Sequence, residues 1–439
     1  MSRPFKLLLV GDSDSQILAC EALCRFPEEL SVEITINTVP REGTPESILS
    51  RAQALGRHWN HTVEELITHP EITSFDAVGV YLTGSKIAQF RAALNLLPNP
   101  QRPLMFCGFN GVVLEKFIEG IYWRFGSDLI CLNGPRDQEA LQRITASTPF
   151  EGQPIALTGL KRNQPKGLLA IDQRPKLMVF SEQVIMPALA SDRVRMVRIL
   201  AGLAERSPNW QVVIKPRIGL GETTFHKVKN HISQTLEQAL VRLPTNLSLD
   251  YSPLFELLQR ARLMATVSST ALFDAMDFGC RPLVMADFGV QRENGSHAFA
   301  GSGVWTVLET VENLDRLEAS LPEPSQTWLE WMGYSDNATP ANLIAELERL
   351  KEQQPQQPPQ AQAAPTGYPS SGSINFMQLR RMAERAISEN QYQEAANLLT
   401  IAKQLRPTHR NVARRLQAVQ CRNRLMRRVL LMISYRKLR

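Results

Sequence analysis

No stretch of the 439-residue chain approaches the run of about 20 apolar residues that crosses a bilayer as a helix. The opening segment MSRPFKLLLVGDSDS has a charged head but only LLLV before Gly11-Asp12. That is too short for a secretory leader and fits a buried parallel strand. Cysteine is sparse: Cys20, Cys24, Cys107, Cys131, Cys280 and Cys421 are scattered without metal-type pairing. Core thiols in a reducing compartment are the expectation, with no metal site and a cytoplasmic location. Neither G-x-G-x-x-G nor G-x-x-x-x-G-K-[ST] occurs, which disfavours a standard dinucleotide site and a P-loop. The DFG at 287–289 stands without the kinase Gly-rich loop or catalytic-loop signature, so it is no kinase signal.

Charge is present but unevenly spread. The net charge is +6, yet residues 374–439 hold 15 Lys/Arg against 3 Asp/Glu, leaving 34 against 40 for the rest. The basicity belongs to the tail, and nucleic acid is not an expected partner. Apolar residues (43%) and charged residues (21%) are in the proportions of a soluble globular chain.

The pattern predicts an α/β protein of two tandem Rossmann-like domains with a cleft between them, followed by a tethered helical segment. In residues 1–163 the runs FKLLLVG, SVEITINTV, FDAVGVYL, PLMFCGF and SDLICLNG read as strands separated by helical stretches, which indicates βαβ units. Residues 164–175, with Pro165, Gly167 and Pro175, read as a connection. The alternation restarts over 176–352 with PKLMVFSEQ, WQVVIKPR, NLSLDY, ARLMATVSS and RPLVMADFG. Ligands of such folds sit at the carboxyl ends of the strands. Residues 353–373 are rich in Pro and Gln and form a tether. In 374–439, Tyr392, Ala395, Ala402 and Pro407 match the offsets of one tetratricopeptide-like helix pair, the alternative being an unrelated helical hairpin.

Five groups of residues can carry chemistry. In TVSSTALFDAMDFG, Ser268, Ser269 and Thr270 precede a helix, where hydroxyls cap the helix or bind phosphate oxygens. Asp274, four residues on, can accept ribose hydroxyls. In VIKPRIGLGETTFH, Lys215 and Arg217 follow a strand and suit a diphosphate, or form a solvated basic loop. Glu222 and His226 lie four apart in the same stretch, with His226 able to donate to a phosphate or act as an acid. In GDSDSQ, Gly11 turns the chain and Asp12 and Asp14 can supply a general base or a cation site, or serve as cap and turn residues. Gly108, Asn110 and Gly111 make a permissive loop after a strand. The aromatics Tyr122, Trp123 and Phe125 that follow read as core before sugar platform. Asp287 and Asn294 sit in a long Gly-rich loop of the kind that forms a lid or a wall.

In that order, DSDSQ, IKPRIGLGETTFH, TVSSTALFDAMDFG and DFGVQRENGSHAFAGSG resemble a family of bacterial proteins assigned as glycosyltransferases, over about residues 5–304. IKPR with SST is more distantly similar to motifs of capsule-type sialyltransferases and CDP-glycerol glycerophosphotransferases. The resemblance implies a GT-B architecture, without an essential metal or other cofactor, acting on a nucleotide-sugar donor and a glycan acceptor such as an envelope polysaccharide. It implies that Lys215, Arg217, Ser268, Ser269 and Thr270 hold donor phosphates, that Asp274 holds the ribose, and that Asp12 and Asp14 face the acceptor. Capsule-type enzymes carry His-Pro where this chain has Lys215-Pro216-Arg217, so His226 has to supply any imidazole. Two other functions fit the same residues: a glycerophosphate-type transferase, or an inactive GT-B-like nucleotide- or glycan-binding module recruited by its tail. The tail itself suits an anionic membrane surface, which would place the protein at the inner face of the membrane, or an acidic protein.

Overall fold

The structure is a computed structural model. It describes residues 3–40, 46–95, 102–113, 117–148, 150–162, 165–184, 186–219, 231–239, 242–291, 294–353, 376–405 and 408–435. Two all-parallel sheets form its frame. The first contains β1 (Phe5–Gly11), β2 (Val32–Thr38), β3 (Arg57–Trp59), β4 (Ala77–Tyr81), β5 (Leu104–Cys107), β6 (Leu129–Leu132) and β7 (Ile155–Leu157), in the order β3-β2-β1-β4-β5-β6-β7. The second contains β8 (Leu177–Ser181), β9 (Gln211–Lys215), β10 (Leu247–Leu249), β11 (Leu263–Thr266), β12 (Arg281–Met285) and β13 (Trp305–Thr306), in the order β10-β9-β8-β11-β12-β13. The two Rossmann-like units expected from the alternating pattern are both present. The short edge strands β3, β7 and β13 were not expected from the sequence, whereas β10, an edge strand of three residues, lies within the alternating run NLSLDY.

Continuous apolar runs become strands here because both faces of each sheet are covered. Leu7, Leu8, Leu9 and Val10 of β1 are all fully buried. Leu7 and Leu9 pack with Ile17, Cys20 and Leu23 of the helix Asp14–Leu23. Leu8 and Val10 pack on the other face with Ile87, Phe90 and Leu94 of the helix Gly84–Leu94. In the second unit Met178 and Phe180 meet the helix Ala190–Glu205, while Leu177 and Val179 meet Leu257, Leu258 and Ala275. Each such side chain contributes about 1.5–3 kcal/mol by leaving water.

In each sheet the strand order reverses once, between β1 and β4 and between β8 and β11. At these points the flanking helices leave on opposite faces and a crevice opens at the carboxyl ends of the strands. The two crevices face one another because the chain crosses between units twice. It passes once from β7 to β8. It returns after the helix Gln326–Met332, and the helix Pro340–Gln353 then lies on the first sheet, with Leu343, Ile344 and Leu347 buried beside Phe5 and Leu129. The final helix of the segment expected as the second domain therefore completes the core of the first.

The seam between the units is backbone-tight. Leu160 N–H donates to the Gly333 carbonyl (2.8 Å), and Asn342 Nδ2 donates to the Leu157 carbonyl (2.9 Å). Gly333 has φ +92°, and a Cβ there would overlap the Asn133 carbonyl oxygen. Nearby, Asp277 Oδ1 accepts from the Arg162 backbone N–H (2.9 Å) and from the Tyr334 hydroxyl (3.0 Å). Its Oδ2 is buried without a hydrogen-bond partner among the described residues. Burial, reinforced by the nearby Asp274 carboxylate, pushes the Asp277 carboxyl up to about 6, against the two hydrogen bonds and the Arg162 charge that favour ionisation.

The tail is larger than the single helix pair expected. Four helices, Phe376–Ser388, Tyr392–Leu405, Arg410–Gln420 and Arg424–Tyr435, pack each on the next. Ala383, Ala395 and Ala402 are fully buried between them and let the backbones approach. Met382 also packs on the core of the first unit. The tether from residue 354 and Pro407 lie outside the described residues.

Two outcomes follow from the seam. Gly333→Ala forces an L side chain into the left-handed region against backbone, so the denaturant midpoint should fall by the equivalent of about 2 kcal/mol or more. Asp277→Asn keeps an acceptor for Arg162 and Tyr334 but removes the buried charge. The wild-type carboxyl, raised from 3.8 to about 6, keeps its proton in the folded state up to about pH 6. Its contribution is therefore complete below pH 4 and is lost as pH rises through 6. Thermal scans should show the Asn variant more stable at pH 7.5, by roughly 3 kcal/mol at most, with the gain vanishing toward pH 4.

Candidate functional site: the interdomain cleft

The two switch-point crevices enclose a cavity of about 230 Å³. The first unit lines it with Ser15, Tyr81, Asn110, Gly111, Asn133, Thr158, Lys161 and Arg162. The second unit adds Arg217, Thr270, Phe273 and Asp274.

The three consecutive hydroxyls have different surroundings. Ser268 is buried, and its N–H donates to Gln183 Oε1 (3.0 Å) while its Oγ accepts from Gln183 Nε2 (3.2 Å). Gln183 follows β8, so this pair ties together the two strands of the switch point. Ser269 Oγ accepts from the Ala271 N–H (3.2 Å) at the start of the helix Ala271–Asp277. Thr270 makes no side-chain cap bond and lines the cavity. One hydroxyl braces the sheet, one caps, and the third faces the cleft.

The cations also separate. Arg217 reaches the cavity, and its backbone N–H is fixed by Glu182 Oε2 (3.0 Å). Glu182 is itself buried against Arg193 (2.6 Å), so a buried ion pair sets the loop after β9. Lys215, the last residue of β9, instead donates from Nζ to the Pro216 carbonyl (2.7 Å) and does not line the cavity. Asp274 lines it and pairs with Arg162 of the first unit (3.1 Å). Both partners are partly exposed, and such pairs contribute only about 0–1 kcal/mol. Arg25, at the end of the first unit's opening helix, lies within electrostatic reach of Arg162, Asp274 and Asp277.

In the first unit Asn110 is exposed on the rim and Gly111, at φ +148°, has open space where a Cβ would project. Gly108 packs so closely on the Tyr81 ring that a Cβ would strike the hydroxyl. Gly11 ends β1. Asp12 lies just behind the crevice, 1% exposed, with its carboxylate held by Lys86 Nζ (2.6 Å) and its N–H donating to Gln16 Oε1 (2.7 Å). It therefore does not line the cavity.

Other candidates lie elsewhere. Asp287 is a turn residue whose oxygens accept from the backbone N–H groups of Leu308 (2.9 Å) and Glu309 (2.8 Å). Asn294 is buried and donates to Gln291 within its own loop (3.1 Å). Neither is part of the cavity wall. Phe125 stacks on Phe150, Trp123 packs with Tyr122 and against Gly84, and none of the three aromatics is a platform in the cleft. Glu222, His226 and the side chain of Asp14 lie outside the described residues. Among the described residues no group of three or more His, Cys, Asp or Glu is placed to hold a metal.

Lys161 and Arg162 were missed from the sequence. Their signal was available, since TGLKR follows the apolar triplet of β7 as Pro216-Arg217 follow β9. A three-residue edge strand concealed it.

Several solved structures align with this chain. A Listeria monocytogenes protein titled "putative UDP-N-acetylglucosamine 2-epimerase" aligns over 80% of this chain and 98% of its own, at 13% identity and TM-score 0.50. A glycosyltransferase from Rickettsia africae aligns over 80% and 99%, at 10% identity and TM-score 0.46. An O-GlcNAc transferase from Thermobaculum terrenum aligns over 80% and 68%, at 14% identity and TM-score 0.42. At these identities the likeness concerns the fold, two Rossmann-like units in the GT-B arrangement. No curated protein sequence matches the chain. A family model does match, over residues 7–350, which contain both sheets but for the first two residues of β1, and nearly all of the helix that crosses back. The chain belongs to the family described as "Putative glycosyltransferase (DUF6716)".

Proposed function

We propose that the cleft binds a nucleotide-activated sugar and transfers the sugar to an envelope-polysaccharide or related glycan acceptor. The observation that carries this reading is the convergence of Arg217 and Thr270 from one unit with Lys161 and Arg162 from the other on a single cavity. Cations and a hydroxyl gathered between two Rossmann-like units suit a diphosphate, and they stabilise the charge that develops on a departing nucleotide. Family membership supports the same reaction class.

The Arg162–Asp274 pair gives the donor a way in. Donor phosphate replaces the Asp274 carboxylate on Arg162, and Asp274 turns to the ribose hydroxyls. The exchange costs little because the pair is half-exposed. Deprotonating the acceptor falls to Asp12 or Asp14 at the head of the first unit's opening helix, and for Asp12 this requires Lys86 to swing away. Lys215, Ser268 and Ser269 act through the loops they hold, and His226 is the candidate to donate to the leaving phosphate.

One observation favours a second reading, a nucleotide-binding module without transfer. Among the described residues that line the cavity Asp274 is the sole carboxylate, and it is paired. Release of nucleotide from UDP-, GDP-, CDP- and CMP-sugars separates the two: turnover supports the enzyme, and tight binding with no turnover on any donor or acceptor supports the module.

Calorimetry with the corresponding nucleotides should show one responding base. Against it, Arg217→Ala should weaken binding by at least about tenfold and Thr270→Val by about fivefold. Equal affinity in both variants and the wild type would remove the phosphate site from this cleft. Arg162→Ala should weaken donor binding while leaving thermal stability within about 1 kcal/mol, because its ion pair is half-exposed.

A further inference from the structure

The last described helix, Arg424–Tyr435, presents an apolar face to solvent. Fifteen large hydrophobic residues are exposed among the described residues, and six of them lie on this helix: Leu425, Met426, Val429, Met432, Ile433 and Tyr435. The other nine are scattered singly over both units, as on any soluble protein. Leu425, Val429, Met432 and Ile433 are spaced i, i+4, i+7 and i+8, which places them on one stripe. Leu425 is 77% exposed and Met432 63% exposed. The opposite side of the helix carries Leu431 and Ser434, both buried against the rest of the tail. The stripe is therefore not the packing face turned outward; the helix has two apolar faces and the tail uses one.

Charge identifies what covers the second. From Ala395 to Arg439 the chain has 12 Lys/Arg and no Asp or Glu. Arg424 and Arg428, both exposed, flank the stripe, and Arg422 precedes the helix. A second copy of the same face would bring these arginines against their equivalents, with no carboxylate on either face to neutralise them. An apolar stripe flanked by arginines is the pattern of a helix lying in the headgroup boundary of a bilayer, its apolar side in the acyl region and its cations at the lipid phosphates. No helix among the described residues is long and apolar enough to span a membrane, so the mode is peripheral.

We propose that the stripe Leu425–Val429–Met432–Ile433, with Arg424 and Arg428, docks the protein on an anionic phospholipid surface. The tail rests on the first unit, where Met382 packs on its core and Leu379 and Leu398 line a pocket with Val63, Ile67 and Ala93 beside Lys86. Docking thus tethers the first unit, on which the tail rests, to the lipid surface.

Flotation of the full chain with vesicles tests this. The wild type should bind phosphatidylglycerol vesicles and not phosphatidylcholine vesicles, less so as salt is raised. Val429→Glu/Met432→Glu should reduce binding by about tenfold or more with unchanged circular dichroism, since both side chains point to solvent. Arg424→Gln/Arg428→Gln should retain the fold and lose most of the preference for the anionic lipid. No binding to phosphatidylglycerol, or binding that the Glu variant retains, would overturn the proposal. So would light scattering that shows a dimer converted to a monomer by the Glu variant, which would assign the stripe to a second copy. Val429-dependent binding to an acidic polypeptide such as polyglutamate without vesicle binding would equally overturn it. Nucleotide affinity, measured in parallel, is independent of these outcomes.

Discussion

The cleft depends on the seam that fixes one sheet relative to the other. Two open parallel sheets each leave a crevice at a strand-order reversal, but a crevice on one sheet supplies groups from one direction only. Here the chain returns from the second unit at Gly333, whose backbone lies directly against Asn133 and Gly134 and whose carbonyl receives the Leu160 N–H. The contact leaves no room for a side chain on either strand of the crossing. A few residues away, the Asp277 carboxyl is buried to accept from Arg162 and Tyr334. With that seam in place, residues some 55 positions apart in sequence, Arg162 and Arg217, line one cavity.

The seam and the cleft differ in how firmly they are held. The seam is made of buried backbone bonds and a buried carboxyl, which resist opening because an unpaired buried group is costly. The cleft mouth is held by a half-exposed ion pair, Arg162–Asp274, which water screens. The contacts that join the units are thus buried and fully engaged at the seam and partly exposed at the cleft. The same division appears within the hydroxyl triplet, where Ser268 and Ser269 are engaged with Gln183 and the Ala271 N–H and only Thr270 faces the cavity.

Much of the frame was legible because parallel strands buried on both faces write themselves as uninterrupted apolar runs. FKLLLVG and PKLMVF are strands for the reason they look like strands. The site was legible in part. Arg217, Thr270, Asp274, Asn110 and Gly111 follow strands of readable length or begin a helix, and they line the cleft. Lys161 and Arg162 follow a three-residue edge strand and escaped notice. Asp287 and Asn294 looked like loop ligands because a polar residue in a Gly-rich loop has the same sequence appearance whether it faces a ligand or bonds within the fold, as Asp287 does by accepting from the Leu308 and Glu309 N–H groups and Asn294 by donating to Gln291.

The sequence by itself determined the α/β alternation, the two-unit organisation and the separation of a basic tail from an acidic body. Each of these is set by local periodicity or composition, which one chain displays without knowing its neighbours. Only the tertiary structure decided that the helix Pro340–Gln353 belongs to the first sheet, that Asp12 is clamped by Lys86, and that the last described helix has a second apolar face left over after packing. Those are questions of which partner a side chain meets across the fold. Periodicity marks a face as apolar, and the packing of distant elements decides whether that face is covered.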